Sequence, residues 1–176
     1  MLDTMQITEQ RPTRFATSPD FCAIFTEEMH SLYLLAFLLT ADHDRAEQCF
    51  ARGLEACEEG TGVFVEGARS WARRTILKLA IRMVRPMPDD TDHVSLSALK
   101  RVSSSERDNY FAAILALNRF DRFVFVTSVL EGQADDECTS LLGCSRQDLI
   151  ISRKRAFMRL AATEEGSYLF EEGHQA

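Results

Sequence analysis

Eleven cations gathered into two short stretches are the residues of this chain best suited to chemistry, and the chemistry they suit is phosphate binding. Residues 66–85 hold Arg69, Arg73, Arg74, Lys78, Arg82 and Arg85 against one acid, Glu66, and residues 144–162 hold Arg146, Arg153, Lys154, Arg155 and Arg159 against Asp148. A guanidinium presents paired N–H donors in a fork that matches two phosphate oxygens, and an ammonium adds a point charge. The surroundings are acidic: residues 1–60 carry four basic and eleven acidic side chains, and the whole chain has a net charge of -7. Overall charge argues against nucleic acid, whereas the clustering argues for it, because a basic stripe on one face is the electrostatic footprint of such binding. A solvated helix face can show the same pattern.

No other constellation supports a reaction. The four histidines, His30, His43, His93 and His174, are scattered, and none lies in an HxxxH or HExxH setting. There is no glycine-rich phosphate loop, no nucleophile elbow and no acid pair at a spacing suited to acid–base work, so no catalytic residue, metal site or cofactor is expected. The five cysteines form an odd set without a CxxC pair. Cys49, Cys57 and Cys138 fall at periodic apolar positions and read as small buried hydrophobes.

The elements that must carry the cations are helices. Residues 1–17 lack periodicity and read as a disordered N-terminus. Ser18, Pro19 and Asp20 form a helix start, and Phe21, Phe25, Met29, Leu32, Leu35, Ala36 and Leu39 continue one apolar face to Thr40. Asp44 and Glu47 make a capping-box-like pair for a second helix through Ala46, Cys49, Phe50, Leu54 and Cys57. After a glycine-bearing loop, a third helix runs from about Ala68 to Arg85, stops before Pro86, and places Trp71, Ala72, Ile76, Leu79, Ala80 and Met83 inward. Residues 86–105, with two prolines, an acidic cluster and a serine run, read as a linker. A second helical domain follows over 106–162, then an acidic tail over 163–176. The fold class expected is all-α: two small helical domains joined by a linker. No apolar run approaches the ~20 residues of a membrane span, and the polar N-terminus lacks a signal core, so a cytoplasmic address is expected.

The second domain contains a helix-turn-helix pattern. A short acidic helix from about Ala134 to Leu142 would turn Cys138, Leu141 and Leu142 inward, and Gly143 would supply a left-handed turn. Ser145 would cap a longer helix whose Leu149, Ala156 and Leu160 share one buried stripe. The opposite face is then left for the DNA major groove. Phe123 to Val129 is rich enough in β-branched residues to suggest a strand.

From Leu117 to Leu160 the chain resembles, without a gap, the promoter-recognising C-terminal region of bacterial sigma factors of the extracytoplasmic-function type. Leu117, Arg122, Val124, Phe125, Leu130, Glu131, Gly132, Glu137, Leu141, Leu142, Gly143, Ser145, Arg155, Ala156 and Leu160 match the family pattern LPxxxRxVFxLxxLEGxSxxEIAxLLGxSxxTVKSRxxRAxxxL. Upstream, Leu35, Ala36, Leu39, Asp42, Ala46, Glu47, Trp71 and Arg85 match the module that grips polymerase and opens promoter DNA. The match favours helix over strand for Phe123 to Val129. It implies a protein that binds core RNA polymerase and directs it to promoter DNA, with an anti-sigma protein as a further partner and no membrane. By the same resemblance Glu47, Gln48, Ala51 and Arg52 would face polymerase. Arg69, Arg73, Arg74 and Lys78 would approach the minus-ten element, and Ser145, Arg146, Gln147, Ile151, Lys154 and Arg155 would meet the minus-35 region.

The departures fall at functional positions. Gln48, Ala51 and Arg52 stand where the family has acids and amides, Leu77 and Lys78 replace an arginine–asparagine pair, and Asn118 replaces a proline. Ile150 and Ser152 replace two phosphate-binding cations, and Arg153 occupies a position that is normally apolar and inward, so either the helix is rotated or Arg153 snorkels past the stripe. Two alternatives therefore stand beside the leading one: a DNA-binding regulator that no longer engages polymerase, and a sigma-fold module that binds a protein partner.

Overall fold

The computed structural model describes residues 14–60, 62–89 and 106–171, with side chains omitted for 106–109 and 163–171. Among the described residues there is no strand, only one antiparallel bridge between Phe15 and Phe64. The protein is mostly helical, as an all-α chain should be. Most of the expected linker, residues 90–105, and the last five residues of the expected tail lie outside the described residues.

Helix α1 spans Ser18–Glu27 and α2 spans Met29–Thr40. The single helix expected over 18–40 is thus two, meeting at 78°. The apolar residues explain the break: Phe21, Ile24 and Phe25 on one side of it and Leu32, Leu35, Ala36 and Leu39 on the other are all buried. A straight rod could not turn so broad an apolar circumference into one core. Met29 sits at the bend and is exposed, not inward. The cap also differs from expectation by one residue: Thr17 precedes α1, and the Asp20 carboxylate accepts from Thr17 N (2.8 Å) and Thr17 Oγ1 (2.7 Å). Arg14 forks onto the same carboxylate at 2.7 and 2.8 Å. Ala16 N donates to Val63 O, Val65 N donates to Arg14 O, and Phe15 stacks on Phe64, so residues 14–17 are tied down despite their aperiodic sequence.

Ala41, at φ 53°, closes α2, and helix α3 covers His43–Glu59. Its cap is Asp42, which accepts from Arg45 N at 2.8 Å; Asp44 lies inside the first turn. Gly53 faces α4, which covers Ala68–Val84. A Cβ at Gly53 would lie 2.5 Å from the Ile76 side chain, so the missing side chain lets the two helices approach closely. Arg85 adopts a left-handed conformation (φ 51°) and Pro86 follows, which ends α4 where the sequence indicated.

The remaining helices are α5 (Glu106–Leu115), α6 (Arg119–Phe125), α7 (Asp135–Leu142) and α8 (Arg146–Glu171), with a π-helical turn over Val126–Leu130 after α6. Residues 123–129 are therefore helical. Helix α8 continues well past Leu160, through most of the segment expected to be a tail. Helices α1–α4 pack on one another and α8 packs on α5, α6 and α7; α2 also meets α5, α6 and the π-helical turn, while α4 meets α7. One hydrophobic core runs through both groups, from Phe21 to Leu160. Arg122, buried in this region, donates to the carbonyls of Leu115 and Leu117 and, across the groups, to Leu39 O at 3.3 Å. A cation at the end of α2 meets the negative pole of the helix there. Burial without a carboxylate partner lowers the Arg122 pKa to about 10, with nearby Arg119 adding to the effect.

No single described helix is long and apolar enough to cross a membrane. The bent pair α1–α2 passes that test by length and composition, and its apolar residues fill the core described above.

Candidate nucleic-acid interface

On α4 the spacing of Arg69 and Arg73, one turn apart, places both on one face, with Arg74 beside them. All three guanidiniums are engaged by carboxylates, although the Arg69 side chain remains exposed. Arg69 binds both Glu27 and Glu28 at the bend between α1 and α2. Arg73 forks onto Glu131, Nε to Oε2 at 2.7 Å and Nη2 to Oε1 at 2.6 Å, and donates to Ser31 Oγ at 2.7 Å. Arg74 reaches Glu137 at 2.5 Å and the Gln133 side-chain oxygen at 3.4 Å. The Glu131 side chain is 7% exposed and meets the Arg73 guanidinium with both carboxyl oxygens. That hydrogen bond in turn raises the Arg73 pKa further above its ordinary value, against the effect of burial. Lys78 and Arg82 on this helix are exposed, and the Lys78 ammonium lies 5.7 Å above the Trp71 ring. Trp71 itself is exposed, contrary to the inward position expected for it; Ala68, Ala72, Ile76, Leu77 and Ala80 supply the buried face instead. With small alanines at three of those positions, α4 approaches its neighbours closely and the indole is left at the rim.

The turn before α8 follows its sequence closely. Cys138 and Leu142 are buried, Leu141 is half-buried, and Gly143 takes φ 63°. Ser145 and Asp148 form a reciprocal cap: the Asp148 carboxylate accepts from Ser145 N (3.1 Å) and Oγ (2.6 Å), and Asp148 N donates to Ser145 Oγ (3.1 Å). Ser145 therefore holds the helix start. Leu149, Ala156 and Leu160 are buried in one stripe.

The cations of α8 divide by face. Arg155 donates to Asp121 at 2.7 Å through Nη2 and 3.2 Å through Nε, and Ser152 Oγ donates to the same carboxylate oxygen at 2.6 Å. Asp121 is fully buried and also receives Asn118 Nδ2 at 2.8 Å, while its own N–H donates to Asn118 Oδ1 at 2.7 Å. Arg155 thus anchors α8 to α6, and Asn118, where the family pattern has proline, caps α6 and completes the same network. Arg153 snorkels: it reaches Asp135 Oδ1 at 2.5 Å and Ser128 Oγ at 3.1 Å, while Ser152 takes the inward place. Arg146, Gln147, Ile151 and Lys154 are exposed, with the nearest carboxylate to Arg146, on Asp135, at 3.9 Å. Lys154 makes no ion pair among the described residues.

On α3, Glu47, Gln48, Ala51 and Arg52 are all exposed along one helix side, opposite the buried Ala46, Cys49, Gly53 and Cys57. All five cysteines are free thiols; Cys49, Cys57 and Cys138 are buried, and burial raises the Cys49 pKa to about 11. Several residues escaped the sequence reading. Asp121 has no role there, and Glu131 and Glu137 stand only as matches to the family pattern, with no ion-pair partner indicated. The exposed Phe157 and Met158 extend Ile150 and Ile151 into an apolar strip along the outer side of α8.

Comparison of the chain with protein-family models and with curated proteins returns no match.

Proposed function

We propose that this protein is sigma-factor-like, with two helical domains of which the second is a helix-turn-helix, and that it carries core RNA polymerase to promoters without catalysing a reaction itself. The observation that carries this reading is the α7–Gly143–α8 arrangement. A glycine in the left-handed conformation turns the chain, a Ser145–Asp148 cap opens α8, and Arg146, Gln147 and Lys154 stand outward on its first turns. In that position an α-helix fits a major groove, where arginine and glutamine suit guanine and adenine edges and lysine suits phosphate. The exposed side of α3 offers Glu47, Gln48, Ala51 and Arg52 to polymerase, and the protein would work in the cytoplasm. The test is reconstitution. Purified protein should co-elute with core polymerase and add promoter-dependent transcription to it; absence of both would refute the proposal.

A second reading is favoured by one observation. Ile150, Ile151, Phe157 and Met158 are between 46% and 63% exposed on the outer side of α8. Apolar side chains of this size gain more from a protein partner than from a phosphate backbone. In this reading the fold serves a protein partner such as an anti-sigma protein. Tight capture of such a partner with no duplex affinity at low salt would select it.

A further inference from the structure

We infer that the chain screens its own α4 cations: Glu131 and Glu137 occupy the forks that phosphates would take on Arg73 and Arg74, so α4 meets a polyanion only after these carboxylates withdraw. The inference rests on the proposed DNA-binding role of α4 and adds its regulation. The geometry is that of a competitor. A carboxylate engages a guanidinium through the same paired N–H donors as a phosphate does, and the Arg73–Glu131 contact is bidentate at 2.6 and 2.7 Å. Both acids come from the second group of helices, Glu131 at the end of the π-helical turn and Glu137 on α7, whereas Glu27 and Glu28 belong to the group that contains α4.

The charge count decides the sign. With the groups closed, the four carboxylates of Glu27, Glu28, Glu131 and Glu137 match the four cations Arg69, Arg73, Arg74 and Lys78, and the patch is neutral. Without Glu131 and Glu137 the same four cations meet two carboxylates, and the patch becomes net positive. A neutral patch offers a polyanion no net attraction, and a positive one attracts it. What joins the groups here is the shared apolar core, the long Arg122 to Leu39 carbonyl bond and these ion pairs, of which Arg74–Glu137, with side chains 38% and 44% exposed, is the one that salt weakens most.

The test uses the full chain and two probes, heparin and a mixed-sequence 20-base-pair duplex, with affinities followed over a salt series. Glu131→Gln/Glu137→Gln keeps shape and removes both charges. Its affinity for heparin should rise, with the slope of log affinity against log salt steepening by about two, one for each guanidinium released. Adding Arg73→Ala/Arg74→Ala should return both quantities to the wild-type values. Heparin affinity and slope unchanged by the two glutamines would overturn the inference, as would a gain that survives removal of the arginines. Tighter heparin binding without any duplex binding would uphold the screen and instead refute the DNA-binding role. Helicity by circular dichroism, equal across the set, confirms that the variants are folded.

Discussion

Helices α4 and α8 carry similar numbers of cations and use them differently. On α4, Arg69, Arg73 and Arg74 are all held by carboxylates, and Lys78 lies over Trp71. On α8 the inner cations, Arg153 and Arg155, hold the helix to its neighbours, and the outer ones near its start, Arg146 and Lys154, stay exposed. A basic stripe in sequence therefore has two structural meanings. Where acids of other helices meet it, the stripe is a joint; where they do not, it remains a surface.

The contrast can be broken most severely at the anchor of α8. Asp121→Ala removes a fully buried carboxylate that joins Asn118, Ser152 and Arg155, and it should cost about 3 kcal/mol in urea unfolding. A loss below about 0.5 kcal/mol, the level of an ordinary surface change, would mean that Arg155 is not an anchor. A smaller effect is expected at the joint. Glu131→Ala strands Arg73, which has other partners in Ser31 and, at 3.7 Å, Glu28, so a loss of about 1.5–2 kcal/mol is expected.

Asp135 gives a pH-dependent test. Its carboxyl sits below the ordinary value, first because Arg153 donates a hydrogen bond to it, against an opposing effect of desolvation, with the charges of Arg153 and Arg146 adding lesser contributions. A depressed pKa in the folded state stabilises the fold above the unfolded value, roughly pH 4, and that contribution is lost as pH falls through the folded one. Asp135→Asn should therefore lie below wild type in thermal melts at pH 7, with a smaller gap at pH 3. Parallel curves at both pH values would exclude the linkage. The smallest effect is expected at Lys154. Its replacement by alanine should leave stability within about 0.5 kcal/mol while reducing the salt slope of duplex binding by about one. A stability loss several times larger would place Lys154 with the anchors.

Local features were the most legible in the sequence. The Gly143 turn, the Ser145 cap, the stop at Pro86 and the Leu149–Ala156–Leu160 stripe follow from backbone preference and helical period, which act over a few residues. The bend at Glu28 was not legible, because a broad apolar face has the same periodicity whether the rod is straight or folded. Trp71 was misplaced since size and apolarity favour burial, while the helix-to-helix spacing set by Ala72, Ile76 and Ala80 decides which side turns inward. The carboxylate partners of Arg73 and Arg74 lie about 60 residues away in sequence, beyond the reach of any local pattern. The same holds for Asp121, whose burial depends on α8 closing over it.

A double-mutant cycle on Arg73 and Glu131, run by urea unfolding, tests the central claim most directly, namely that Arg73 and Arg74 of α4 are engaged by acids from the other group of helices. Arg73→Ala, Glu131→Ala and the pair should give a coupling energy of about 1–2 kcal/mol, within the range for residues sharing one hydrogen-bonded ion pair. Additive losses, with coupling near zero, would show that the two side chains do not meet in solution and would contradict the claim.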